Sequence, residues 1–251
     1  MKFTDRTALV TGGGSGLGRA TALAFAELGA NVAIADIDAN ANEETLALLR
    51  QKTDKAFAHT TDVSNEESVK SLVRETIARF NSLDAAINNA GVEQQPQSFL
   101  EANDAVFDSV MNVNLRGVWY CMKAELDVMV PRGRGAIVNV TSITDSVGAV
   151  GNPIYVASKH AVLGLTRSAA LEFAKCGIRI NAVSPAGIRT RLYEEVEKRN
   201  PEFVARGLAL HPIGRIASAE EVARTICFLA SDDASYILGH SLKVDGGYTA
   251  C

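Results

Sequence analysis

Residues 7–36 read "TALVTGGGSGLGRATALAFAELGANVAIAD". A short β-rich run, "TALVTG", enters a glycine-rich turn, a helical pattern, "GRATALAFAELG", follows it, and a second apolar run, "NVAIAD", closes the unit. A strand that passes directly into such a turn lets the backbone approach an anion closely, with the N-terminal amides and dipole of the next helix facing the negative charge. The alternation continues outward from this unit. "NANEETLALLRQK", "KAFAHTTDV", "ESVKSLVRETIARF", "LDAAINNAG", a long helix through "DSVMNVNLRGVWYCMKAEL", "GAIVNVTS", a helix carrying Tyr155, "IRINAVSP", a helix near "AEEVARTICFLAS" and a last strand "SLKVDGG" come in that order. Nearly continuous apolar strands between amphipathic helices indicate an α/β fold in which one parallel, seven-stranded, doubly wound sheet is covered by helices on both faces. Ser64 with Glu67, and Ser218 with Glu221, have capping-box spacing and mark two helix starts.

The chain of 251 residues is 47% hydrophobic and 22% charged, which fits one large domain over residues 1–251. A formal net charge of -4 and the absence of a basic run argue against nucleic acid or an anionic membrane as a partner. The start, "MKFTDRTALVTGGG", has no long apolar signal segment, and the four cysteines and four histidines are scattered, so the expectation is a cytoplasmic protein with reduced thiols and no metal site. Residues 190 to 215, "TRLYEEVEKRNPEFVARGLALHPIGR", interrupt the alternation and read as an inserted lid.

The glycine turn "TGGGSGLG", residues 11 to 18, reads as a nucleotide site because of its neighbours. The next strand ends at Asp36, about 20 residues beyond the turn, where a carboxylate can accept hydrogen bonds from both hydroxyls of an adenosine ribose. A second constellation lies in "NPIYVASKHAV", residues 152 to 162, where Tyr155 and Lys159 share one helix face. A phenol with a pKa near 10 is a poor base at neutral pH, and a nearby cation is expected to favour the phenolate and lower that value. On its own the pair could equally be an amphipathic feature of a half-exposed helix.

"TGGGSGLG" occurs together with "NNAG" at 88 to 91, "NVN" ending at Asn114, "NVTS" ending at Ser142, "YVASK" at 155 to 159, "NAVSPAGIRT" at 181 to 190 and "VDGG" at 244 to 247. In order and spacing these motifs resemble the short-chain dehydrogenase/reductase family over essentially the whole chain. The resemblance implies a single-domain Rossmann fold and hydride transfer between a nicotinamide and a secondary alcohol or its ketone. It assigns Tyr155 as acid/base, Ser142 to the substrate oxygen, Lys159 to Tyr155 and the nicotinamide ribose, and Asn114, rather than its rival Asn112, to a water in a proton relay. It places the dinucleotide on Gly12, Ser15, Gly16, Leu17, Gly18, Asp36, Asp62, Val63, Asn89, Gly91, Tyr155, Lys159, Pro185, Ile188 and Thr190.

The expected cofactor is NAD, since Asp36 would repel a 2′-phosphate and neither Ser15 nor Ile37 supplies a cation. Arg19 is the nearest cation, and its place in the first helix points it to solvent. The rival readings are an NADPH-dependent 3-oxoacyl or carbonyl reductase and a catalytically silent dinucleotide-binding regulator. Where the family has Pro-Gly, this chain has Pro185-Ala186-Gly187, so Ala186 must avoid positive φ and narrows the substrate space. Gln94, Thr144, Ser146, Ala186, Leu192 and Tyr193 are the candidate substrate residues. Trp119, Tyr120 and Met122 read as packing surface, and the resemblance implies a homotetramer.

Overall fold

The computed structural model of the protein describes residues 1–189, 193 and 207–250. Its main sheet is built from β1 (Thr7–Thr11), β2 (Asn31–Asp36), β3 (Ala56–Thr60), β4 (Ala85–Asn88), β5 (Gly135–Val140), β6 (Ile178–Pro185) and β9 (Ser241–Val244). All pairings are parallel and the spatial order is β3-β2-β1-β4-β5-β6-β9. A two-residue ladder joins β7 (Ile188–Arg189) to β8 (Ala217–Ser218). The chain lays β2 and β3 on one side of β1 and returns with β4 on the other, so a crevice opens where the strand order reverses, outside the carboxyl ends of β1 and β4.

Side-chain alternation along each strand feeds two cores. Ala8, Val10, Val32, Ile34, Ala85, Ile87, Ala136 and Val138 face α1 (Gly16–Glu27), α2 (Ala39–Arg50) and α7 (Ala219–Ala230) through Phe25, Leu49 and Ile226. Leu9, Ala33, Ala86 and Ile137 face the opposite layer, where α3 (Glu66–Phe80), α5 (Val118–Met129) and α6 (Pro153–Phe173) contribute Leu72, Met122 and Val162. Both strand faces are therefore apolar, which is why the strands read as near-continuous hydrophobic runs. Among the described residues, no helix is long and apolar enough to cross a membrane.

Of the two capping boxes, the one at Ser218 and Glu221 forms in both directions. The other does not. Asn65 caps α3 by accepting from the Ser68 amide, because the amide and hydroxyl of Ser64 are both held by Asp62 Oδ1, at 2.9 and 2.7 Å. The long helix is also not uniform. Between α4 (Asp104–Met111) and α5, residues Asn112–Gly117 form a π-helical turn, a widening that such helices tend to place at functional sites. Within it Asn114 is buried, and Gly117 is required by closeness, since a Cβ there would lie 2.8 Å from Val63 Cγ2.

Beneath the crevice a polar network crosses the core. Asn88 Nδ2 donates to Glu125 Oε2 at 3.1 Å and to Asn139 Oδ1 at 2.9 Å, and Asn139 Nδ2 donates to Thr166 Oγ1 at 2.9 Å. Burial pushes the Glu125 carboxyl up to about 8, against a partial lowering by Asn88. Between the ordinary value of 4.5 and about 8 the native state thus holds a proton that the unfolded chain has released, and stability falls as pH rises through that window. Glu125→Gln mimics the protonated acid. Thermal midpoints measured across this window should decline for the wild type and stay flatter for the variant, which should be the more stable protein at the alkaline end; parallel profiles would show that Glu125 is not the group responsible.

Candidate active site

The crevice is a cleft of about 750 Å³. Gly12, Ser15, Gly16, Leu17 and Gly18 line one end with Asp36, Asp62 and Val63; Asn89 and Gly91 lie at its middle; Ser142, Tyr155, Lys159, Pro185 and Ile188 line the other end. Its floor fits a dinucleotide for steric and electrostatic reasons. A Cβ at Gly18 would sit 1.9 Å from the Gly12 carbonyl oxygen, so only glycine lets α1 begin this close to β1. Ser15 precedes α1 without a side-chain cap bond and the first turn carries no acid, whereas α3 and α7 place glutamates there. The α1 amides are therefore left to an external anion.

Asp36 is held in place at the end of β2. Its Oδ2 accepts from the Gly14 amide at 3.0 Å and its Oδ1 from the Asp38 amide at 3.1 Å. The Gly14 carbonyl in turn accepts from Arg19 Nε and Nη2, at 3.1 and 2.6 Å, and from Thr45 Oγ1 at 2.9 Å. Arg19 therefore does not simply point to solvent as its sequence position implied: it braces the glycine turn and pairs with Glu44 at 2.9 Å. The open carbonyl of Gly14 is the reason, since a guanidinium can satisfy it from one helical turn away.

At the other end of the cleft, Tyr155 and Lys159 share one face of α6, with Lys159 Nζ 5.5 Å from the phenol ring centre. Lys159 is buried and donates to the Val140 carbonyl at 3.0 Å. Burial lowers its ammonium to about 8, against the pull of Asp145 and Glu93 in the other direction. Burial likewise dominates Tyr155, pushing the phenol up to about 12; Glu93 adds to the rise and the Ser142 hydroxyl opposes it. The lowered phenol expected from the neighbouring cation is thus not found: burial and Glu93 raise it, and the group that opposes them is the Ser142 hydroxyl rather than Lys159.

Asn114 reaches from the π turn to the loop after β4. Its Oδ1 accepts from the Val92 amide at 2.8 Å, and its Nδ2 donates to the Val92 carbonyl at 2.9 Å and to Ser158 Oγ at 3.4 Å. This fixes Gly91 beside Lys159: a Cβ there would meet Asn114 Oδ1 at 3.2 Å. Two residues later, Gln94 has a different task from substrate contact. It is buried outside the cleft lining, and its Oε1 accepts from the amides of Ile154 and Tyr155, at 3.0 and 3.1 Å, capping α6, which Asn152 leaves without a side-chain cap.

The other candidate substrate residues are dispersed. Thr144 is buried, Ser146 is bonded to Lys243 and the Ile143 carbonyl, and Ala186, whose φ is not positive, donates to the Val244 carbonyl at 3.3 Å. Tyr193 lies with its ring 5.8 Å from the Arg189 guanidinium, while Thr190, Leu192 and most of the 190–215 lid fall outside the described residues. Glu93 and Gln95 line the cleft and were not singled out by sequence. The acidic residue in "VEQQPQ" was the available signal, since an acid beside the glycines of a cofactor loop must face either solvent or the cleft.

A family model described as Enoyl-(Acyl carrier protein) reductase matches residues 12–249. Cyclohexanol dehydrogenase of Acinetobacter sp. (strain SE19) is 41% identical over 249 residues, covering 99% of this chain and 97% of that protein. The chain belongs to the short-chain dehydrogenase/reductase family. The solved structure of levodione reductase, 37% identical, superposes with a TM-score of 0.94 over 100% of both chains. That of ElxO with NADP bound, 34% identical, superposes with 0.93 over 100% of both. A nicotinamide dinucleotide is accordingly the cofactor of this short-chain dehydrogenase/reductase, and the cradle just described matches its anionic middle.

The Gly14 contacts generate a prediction. A Cβ at Gly14 would lie 2.8 Å from both Asp36 Oδ2 and Ala41 Cβ. Gly14→Ala should displace the Asp36 carboxylate and weaken dinucleotide binding roughly tenfold, the order expected from one lost charge-assisted hydrogen bond. Fluorescence titration with the reduced dinucleotide checks this, and unchanged affinity would show that the Gly14 contact does not set Asp36.

Proposed function

We propose that this chain is an NAD(H)-dependent oxidoreductase that interconverts a secondary alcohol and its ketone, with Tyr155 as the proton carrier. The observation that carries the reading is the convergence of Ser142, Tyr155 and Lys159 at one end of a cleft whose other end presents Asp36. When bound, the nicotinamide supplies or removes the hydride at the carbinol carbon. The Ser142 and Tyr155 hydroxyls would donate to the substrate oxygen, Tyr155 passing its proton to that oxygen in ketone reduction and taking it back in alcohol oxidation. Lys159 would hold the nicotinamide ribose and stabilise negative charge on the phenol. Asn114 orders the wall beside it and would hold the relay water. Asp62 and Val63 would border the adenine, and Pro185, Ile188 and Thr190 the carboxamide.

The likeness to a cyclohexanol dehydrogenase supports a cyclic or bulky secondary alcohol as substrate. A cytoplasmic homotetramer belongs to the same reading, and the exposed apolar side chains Phe107, Trp119 and Leu171 on α4, α5 and α6 support subunit contact through these helices. Use of NADP(H) is the second reading, favoured by the NADP-bound relative and by Arg19 at the glycine turn. Against it, the Arg19 guanidinium is committed to Gly14, Thr45 and Glu44, and Asp36 faces the ribose end.

Three measurements test the reading. Tyr155→Phe should retain the fold and dinucleotide binding yet lower turnover by at least about 100-fold, the scale of a general acid/base group; near wild-type turnover would remove Tyr155 from the proton path. Comparing kcat/KM with the two cofactors should favour NAD(H), and Asp36→Ala with Ile37→Arg should shift preference toward NADP(H) by removing repulsion and adding a partner. An unmodified enzyme that prefers NADPH would return the reductase alternative. The third is the pH dependence of ketone reduction. The phenol, at about 12, stays protonated over the working range, whereas Lys159 loses its proton near 8, so kcat/KM for reduction should fall as pH rises through about 8.

A further inference from the structure

Three residues beyond Ser142 lies an ion pair, buried on its acidic side and partly exposed on its basic side, that the proposed proton path does not use. The Asp145 side chain is fully buried in the short turn Ile143–Asp145 after β5, and Lys243 approaches it from β9. Asp145 Oδ2 accepts from Thr141 Oγ1 at 2.8 Å and Ser241 Oγ at 2.6 Å, while Oδ1 accepts from Lys243 Nζ, which also donates to Ser146 Oγ at 2.6 Å and Ser184 Oγ at 2.9 Å. Burial pushes the Asp145 carboxyl up, and the hydrogen bonds from Lys243, Ser241 and Thr141 outweigh it, holding the group below its usual range.

The cluster adjoins the catalytic lysine through β5. Lys159 Nζ donates to the carbonyl of Val140, and the side-chain hydroxyl of the next residue, Thr141, donates to Asp145, so ammonium and carboxylate are held on consecutive residues of β5 and its end. The hydroxyls of Thr141, Ser241, Ser146 and Ser184 complete the hydrogen bonding of both ions, the condition under which such a pair offsets its desolvation, so the carboxylate is kept ionised one residue from the carbonyl that holds Lys159. We propose that Asp145 and Lys243 form a positioning pair for Lys159, acting on its ammonium across the end of β5 with opposite charge. The charged and titratable groups facing Lys159 are Glu93 from the loop after β4, Asp145 from the turn after β5 and Tyr155 on its own helix, with Lys243 behind Asp145.

Opposite charges must then act in opposite directions. Asp145→Asn should move the Lys159 titration, and with it the alkaline fall of ketone reduction, to lower pH by about half a unit or more; Lys243→Met should move both to higher pH by a similar amount. The double variant should return near the starting value. The kinetic arm rests on the proposed reductase chemistry. The second arm does not: side-chain NMR of ε-13C-lysine protein, with Lys159 identified from Lys159→Met, reads the same titration without substrate. Loss of any reductase activity with shifts of opposite sign in the NMR titration would overturn the reaction and keep the pair. Should one single variant not fold, the sign of the other decides. Shifts of the same sign in both variants, or no shift in the variants that fold, would reduce the pair to a structural tie and overturn the proposal.

Discussion

Two strands that are neighbours in the sheet but 78 residues apart in sequence are knotted at their carboxyl ends by Thr11 and Asn89. The Thr11 hydroxyl donates to the Ile87 carbonyl and accepts from the amides of Asn89 and Ala90, and Asn89 Nδ2 donates to the carbonyls of Thr11 and Gly12. Backbone groups that the diverging strands would leave open are thereby satisfied without water. The knot leaves Gly12 at positive φ, with room for no Cβ against Asn89 and Ala90. From there the order propagates along the loop: Asn114 fixes Val92, and Gln94 fixes the backbone of Ile154 and Tyr155. The glycine turn and the helix that carries Tyr155 and Lys159 are thus set relative to each other by one short run of chain.

The fold was legible because its causes are local. Near-continuous apolar strands buried on both faces, glycines after the first strand and the i, i+4 spacing of Tyr155 and Lys159 are all written in consecutive residues. What could not be read depends on partners brought from elsewhere. Ser64 has the spacing of a cap, yet Asp62 takes its amide and hydroxyl, and Asn65 caps instead. The π turn at Asn114 is recognisable only once Val92 and Ser158 are beside it. Gln94 read as a substrate residue, and only the uncapped start of α6 explains why its carbonyl is buried. Arg19 looked solvent-directed until the open Gly14 carbonyl came into view.

The same distinction governs the chemistry. Sequence places a cation one helical turn from a phenol, but the protonation of both is decided by how deeply the fold buries them. Desolvation favours the neutral form of each group, so it raises the acid and lowers the ammonium together, and their order reverses from the one they have in water. Proximity on α6 therefore cannot by itself keep Lys159 charged. The groups that oppose desolvation sit on other elements, Glu93 after β4 and Asp145 after β5, and Glu93 at the same time raises the phenol. Control of the reactive pair is consequently distributed over the carboxyl edge of the parallel sheet. That edge is the place where this topology brings together chain segments that sequence alone keeps far apart.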